Sequence, residues 1–289
     1  MIESASIRQI EQELRRLNAA AAEPGELSTQ RTRVLTHTAW VPPEWEAAAR
    51  SVLEGLGERH PSRTILLLPD PGSERDALDA EVDLRCFASG GPGRQVCSEV
   101  VAVWLRGRRA AAPASVVQPL LVSDLPAFLR WRGALPFGAP EVEQLLGVAD
   151  RLVVDSREWP DPEAAYRRLP ELFGRIAVSD IAWARTEPWR EAIAALWPGA
   201  ASAQRVRVRG PRAESLLLAG WLGARLRHEV TLEHELAQEI ELARVDGRAA
   251  KAERLGVASP SDLLSDQLEI FGRDPIFEEA VCSFSRVTT

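Results

Sequence analysis

The sequence predicts an α/β protein, with a mixed-sheet α/β domain over residues 1–158 and a second, smaller α/β (α+β) domain over residues 159–289. Three observations carry this reading. The stretch RTILLLPD (63–70) contains a continuous apolar run, the pattern of a strand covered on both faces. The alternating stretches LDAEVDLRCFA (78–88) and QVCSEVVAVWL (95–105) flank the Gly-rich SGGPGR, a hairpin signal. Stretches with helical spacing separate these runs, and such alternation builds α/β sheets. A segment with two prolines and three acidic residues, REWPDPEAAY (157–166), marks the domain boundary.

Taken in order, Ser6 to Leu17 is an amphipathic helix with Ile7, Ile10, Leu14 and Leu17 on one face. Arg31 to Thr38 is a first strand. PPEWEAAARSVLEGLGERHP is a helix with proline near its start and Gly55 and Gly57 near its end. After the hairpin, ASVVQPLLVSDLPAFLRWRG (114–133) is too polar for a membrane span. It divides into a helix, a tight loop over Ser123–Pro126, and a buried strand that carries Trp131 at its C-terminal end. EVEQLLGVAD is a helix and RLVVDS a strand. In the second half, helices around Glu163–Arg175 and Trp189–Leu196 precede the strand RVRVRG (205–210) and the helix RAESLLLAGWLGARL. HEVTLEHEL and QEIELARVDG alternate as strands, and helices around Leu263 and Phe277 follow.

Composition narrows the function. A net charge of −7 argues against nonspecific nucleic-acid binding. No segment reads as a signal peptide or a membrane helix, so a cytoplasmic protein is expected. Lys251 is the only lysine, and so strong an arginine bias lowers the weight of any single arginine as a functional signal. Cys86, Cys97 and Cys282 form no CxxC pair. Three reduced thiols are expected in a reducing compartment, with a Cys86–Cys97 bridge across the hairpin as the alternative.

No catalytic or cofactor constellation emerges. SGGPGR is not a phosphate loop, because it joins two strands instead of leading into a helix. Arg205, Arg207 and Arg209 share one face of a strand, either as a solvated sheet face or as a phosphate grip. His228 and His234, read on one strand face, have no carboxylate beside them, and no metal site is expected. GxSxG and HExxH are absent.

The positive signal is aromatic. There are nine tryptophans against one tyrosine, and several lie beside arginine: Trp131–Arg132, Trp183 with Arg185, and Trp189–Arg190. Trp and Arg are enriched at interaction hot spots, so these six residues are the candidate partner-binding set, with core packing as the competing reading. HPSRTILL (60–67), ASVVQPLLVSDLPAFLRWRG, ADRLVVDS (149–156) and SDIAWARTEPWREAIAAL (179–196) follow one another as in the OpcA family, which the chain resembles over residues 60–196. The resemblance implies a non-catalytic assembly or activator protein for glucose-6-phosphate dehydrogenase, supporting the oxidative pentose phosphate pathway and NADPH supply. It implies no cofactor, and it leaves any sugar-phosphate or nucleotide effector open. The rival reading is an α/β enzyme or sugar-phosphate binder with its site at the strand ends of the first domain.

Overall fold

The computed structural model describes residues 1–21, 28–30, 33–88, 94–252 and 258–288. In chain order the elements begin with α1 (Ile7–Ala21), β1 (Ser28–Gln30), β2 (Leu35–Trp40), α2 (Glu46–Arg59), β3 (Ser62–Asp70), β4 (Leu78–Ala88) and β5 (Arg94–Arg106). Then come α3 (Ala114–Leu120), β6 (Ala127–Trp131), α4 (Pro140–Leu146), β7 (Arg151–Val154), α5 (Pro162–Arg168), α6 (Pro170–Phe173), β8 (Ala177–Asp180), α7 (Ile181–Arg185) and α8 (Glu187–Ala194). The remainder is β9 (Arg205–Gly210), α9 (Arg212–Leu226), β10 (Val230–Leu236), β11 (Leu242–Val245), β12 (Arg248–Ala250), α10 (Pro260–Leu268), α11 (Pro275–Cys282) and β13 (Val287–Thr288). The α/β class and the mixed sheets agree with the sequence reading.

Two compact units divide the chain. The first comprises Met1–Val153 with Ser259–Glu269, and the second Val154–Ala258 with Ile270–Thr289.

In the first unit the strands run β1-β5-β3-β2-β6-β7, with β4 also on β5. β2 lies parallel to β3 and β6, β3 to β5, and β6 to β7, while β4 alone is antiparallel. Every residue of β2 is buried, as is β3 up to its last residue, which explains the unbroken apolar run. α10 returns from late in the sequence and packs on α2. There Ser261 Oγ donates to Val52 O at 2.9 Å, and Arg59 faces Asp262, Asp266 and Glu269.

In the second unit the order is β12-β11-β9-β10-β13. β9 is parallel to β10 and antiparallel to β11. Along β9 burial alternates residue by residue. Val206 and Val208 face inward, and Arg205, Arg207 and Arg209 point outward onto Glu233, Glu235 and Glu241 at 3.2–3.5 Å. The arginine face is therefore a salt-bridged sheet surface. α9 is buried along most of its length and meets α11 closely. A Cβ on Gly220 would stand 2.6 Å from Ala280 O, so only glycine permits this approach. His228 precedes β10, so the two histidines do not share a strand face as expected. His228 Nδ1 meets Glu229 O, and His234 Nε2 meets Gly210 O.

The expectation of three free thiols is overturned, because Cys86 and Cys97 are bonded. The cause is register. Ala80 exchanges backbone hydrogen bonds with Ile2 on the side of β4 away from β5. By the two-residue period of an antiparallel ladder, Cys86 turns its backbone the same way. Cys86 and Cys97 are thus a directly opposed, non-hydrogen-bonded pair, the geometry that brings Cα atoms closest. Their Cα atoms are 4.0 Å apart. The hairpin loop itself (89–93) lies outside the described residues. Cys282 is free and exposed.

The bridge spans a sequence separation of 11, and closing so short a loop contributes about 2–3 kcal/mol through the unfolded state. Cys86→Ala/Cys97→Ala is expected to lower the denaturant stability of the first unit by that amount. Dithiothreitol should bring the wild type to the same value, and a wild type indifferent to the reductant would contradict the bridge.

Candidate functional site

In the first unit the chain leaves β2 toward β3 and β5 on one side, and takes up β6 and β7 on the other. Such a reversal places a crevice at the C-terminal ends of the two central strands. Those ends carry Trp40 and Trp131, which stand opposite each other in the register and stack at 5.0 Å with 13° between planes. Trp131 is only 2% exposed, and its Nε1 donates to Ala134 O at 3.0 Å. The backbone N–H of Arg132 donates to Trp40 O, and its guanidinium lies 4.9 Å from the Trp45 ring centroid. Gly133 follows at φ +75°, and a Cβ there would come within 2.9 Å of Trp45 Nε1. The turn after β2 reads Val41-Pro42-Pro43, and two prolines remove two of the N–H groups that a phosphate cradle would use. The strand ends therefore present a layered tryptophan–arginine surface, with Trp131 as its buried support and Arg132 as its half-exposed part.

The second unit gathers the other candidates. Trp183 is buried and packs on Phe277, and its Nε1 donates to Asp274 Oδ2 at 2.8 Å. Asp274 also caps α11 through Ile276 N and Phe277 N. Arg190 lays its guanidinium 3.6 Å from the Trp183 ring centroid, and its Nε donates to Thr186 Oγ1. Arg185 forms a two-pronged pair with Asp155 at 2.8 and 2.9 Å. Trp189 is half-buried on α8. Tandem Trp and Arg thus serve two ends here: Trp183 is core, while Trp189, Arg185 and Arg190 are half-buried.

Sequence reasoning missed the polar cluster behind these residues. Asp180 ends β8 and caps α7, accepting from Ala182 N and Ser156 N through Oδ1 and from Tyr166 OH through Oδ2. Tyr166, the only tyrosine, also bonds to Ser156 Oγ. Glu214, wholly buried in the first turn of α9, pairs with Arg157, which also holds Glu239 at 2.8 Å by two prongs. The Ser-Asp pair before a helix was the readable signal, as an N-cap. Glu214 had none, since an acid in the first turn of a helix reads as an exposed dipole partner.

Burial pushes Asp180 up to about 6, with Asp155 adding to the rise. Burial likewise pushes Glu214 up to about 7 against the pull of Arg157. The Tyr166 hydroxyl is raised well above its usual range by the same burial and by Asp180. In the first unit His37 is fully buried with neither ring nitrogen hydrogen-bonded, and burial, then Arg130 and His60, drive it down to about 3. Among the described residues no group of three or more His, Cys, Asp and Glu is placed to hold a metal ion, and no helix is long and apolar enough to cross a membrane.

Two family models match the chain in tandem, glucose-6-phosphate dehydrogenase subunit N-terminal domain over residues 54–171 and C-terminal domain over residues 176–281. The chain belongs to the OpcA family. Among OpcA relatives, the OxPP cycle protein OpcA of Nostoc punctiforme is 26% identical over 239 residues, covering 76% of this chain and 51% of the relative. That of Synechococcus elongatus is 28% identical over 241 residues, covering 74% and 52%. The chain spans about half the length of these cyanobacterial OpcA proteins. The two OpcA models divide within the stretch that holds Tyr166 and Asp180, so the buried cluster draws on both.

The shifted groups give the two units opposite pH responses. Between about pH 4.5 and 7 the folded second unit holds protons on Asp180 and Glu214 that the unfolded chain has released, so its stability falls as pH rises. Below 6.5 the unfolded chain binds a proton that buried His37 refuses, so the first unit loses up to about 1.4 kcal/mol per pH unit as pH falls toward 3. Hydrogen exchange at pH 5 and pH 7 is expected to show the two units moving in opposite directions. Asp180→Asn should lessen the second unit's trend, leaving the part due to Glu214, and His37→Leu should flatten that of the first; parallel trends would refute the assignment.

A second substitution separates core from surface. Trp131→Ala is expected to cost about 3–5 kcal/mol in denaturant unfolding. Arg132→Ala should cost no more than about 1–2 kcal/mol, the scale of its contact with Trp45.

Proposed function

We propose that this chain is a non-catalytic partner of glucose-6-phosphate dehydrogenase in the cytoplasm, promoting assembly or activation of that enzyme and so supporting the oxidative pentose phosphate pathway and NADPH supply. The observation that carries the reading is the tandem match of both dehydrogenase-subunit domains, in order, over residues 54–171 and 176–281. The naming of the cyanobacterial relatives as OxPP cycle proteins supports it. The half-buried side chains of Arg132 and Arg190, each with its guanidinium carbon within 5 Å of an indole centroid, suit it as docking groups. An arginine already ordered on a ring loses less conformational freedom when it meets a partner carboxylate. Half-buried Trp189 and Arg185 belong to the same candidate set, while Trp131 in the first unit and Trp183 in the second are buried in their own cores.

The test is an activity and sedimentation titration of the cognate dehydrogenase with this chain. The chain alone should show no glucose-6-phosphate turnover, and its addition should raise the specific activity or the oligomeric order of the dehydrogenase. Arg132→Ala and Arg190→Ala should stay folded, and at least one should weaken the effect by about tenfold or more. Identical dehydrogenase behaviour with and without the chain would reject the proposal.

A further inference from the structure

β4 is an edge strand with an open side. It runs for 11 residues in unbroken antiparallel register with β5, and it contains neither a proline nor a bulge. On its outer side Ile2 bridges Ala80 and Ala5 N–H reaches Leu78 O, and beyond Ala80 no described residue pairs with it. The parity set by Ala80 turns the backbone N–H and C=O of Val82, Leu84 and Cys86 outward. Long, straight edges of this kind are templates for further pairing, and most proteins blunt them by shortening, bending or proline.

The charges on this edge have a particular order. Asp83 and Arg85 share one face, 3.4 Å apart, and Asp83 is more than half exposed. Antiparallel pairing of this edge with a second copy requires outward residues to meet outward residues, so the possible registers differ in steps. With Leu84 opposite itself, Val82 meets Cys86, and Asp83 of each copy stands directly opposite Arg85 of the other, twice over. One step in one direction sets Glu81 of each copy opposite Arg85 of the other but brings Asp83 against Asp83 between them, and one step in the other sets Arg85 against Arg85, so each is less favourable than the first. Opposite charges across a strand pair attract and like charges repel. The pattern therefore selects a single register, and that register is two-fold symmetric, as a self-complementary interface must be.

We propose that β4 pairs antiparallel with β4 of a second copy of this chain, about a two-fold axis at Leu84, joining two first-unit sheets into one. The Cys86–Cys97 bridge ties this edge to β5 at one end of the pairing stretch. The inference concerns the chain alone and stands apart from the dehydrogenase reading.

The test uses the purified full chain without any dehydrogenase. Sedimentation equilibrium is expected to show a monomer–dimer equilibrium, and hydrogen exchange at the amides of Val82, Leu84 and Cys86 should slow as concentration rises. Asp83→Arg alone and Arg85→Asp alone each replace two attractions by two repulsions and should weaken the dimer by about tenfold or more. The double exchange, Asp83→Arg with Arg85→Asp, should restore it. A monomer at every concentration with fast exchange at those amides would overturn the proposal, as would a dimer indifferent to both single changes. If a single variant does not fold, the concentration dependence of exchange in the wild type decides. Protection that appears only after dehydrogenase is added would also overturn self-pairing and assign the edge to that enzyme.

Discussion

Charge cannot be buried alone, and the interior of this chain is arranged around that constraint. Glu99 lies almost wholly inside the first unit and is held by Arg63 at 2.6 Å, by Arg33 and by Asn18, while Arg63 also reaches Glu11 and Leu120 O. One carboxylate thereby fixes α1, α3, β3 and β5 to one another. In the second unit Asp155 is clasped by Arg185, and Arg157 bridges Glu214 to Glu239. Removing one member of such a pair leaves an uncompensated ion in a poor solvent for it, which costs more than the pair itself contributes. Apolar packing supplies the bulk of the stability, but these pairs dictate which elements meet.

The same constraint accounts for the densest block of the sequence. SDIAWARTEPWREAIAAL reads as a surface motif because of its Trp and Arg content, yet Ser179, Asp180, Trp183 and Thr186 within it are buried. Asp180 caps one helix and receives Ser156 and Tyr166, Thr186 Oγ1 returns to Trp183 O, and Trp183 reaches Asp274. A cap, an indole and a guanidinium together position α7, α8 and α11. Residues of this kind resist substitution for structural reasons, whatever else they do.

The sequence was most legible where burial alone decides. β3 announced itself by a continuous apolar run, β9 by strict alternation, and β4 with β5 by two alternating runs around a glycine-rich turn. It was least legible where register or long-range return decides. The cysteine pairing depends on which residues of β4 turn toward β5, and a loop of unknown type hides that parity. His228 and His234 looked alike because alternation cannot say where a strand starts, and β10 begins at Val230. Within the candidate set, tryptophan content could not tell the buried indoles of Trp131 and Trp183 from half-buried Trp189. Glu214 and His37 gave no signal, since each stands beside other polar residues (Arg212 and Ser215, Thr36 and Thr38) and reads the same whether it is solvated or trapped.

The packing of α10 on α2 bears on how the chain is made. The segment Ser259–Glu269 belongs to the first unit, although the whole of Val154–Ala258 is synthesised before it. A nascent chain emerging from the ribosome can pair β2, β3, β5 and β6 early, but it presents the flank of α2 around Gly55 bare until residue 269 has cleared the exit tunnel. The first unit is thus completed only after most of the second has been made. Translation order and structural order interleave here, and for that interval α2 is a surface that a chaperone can hold.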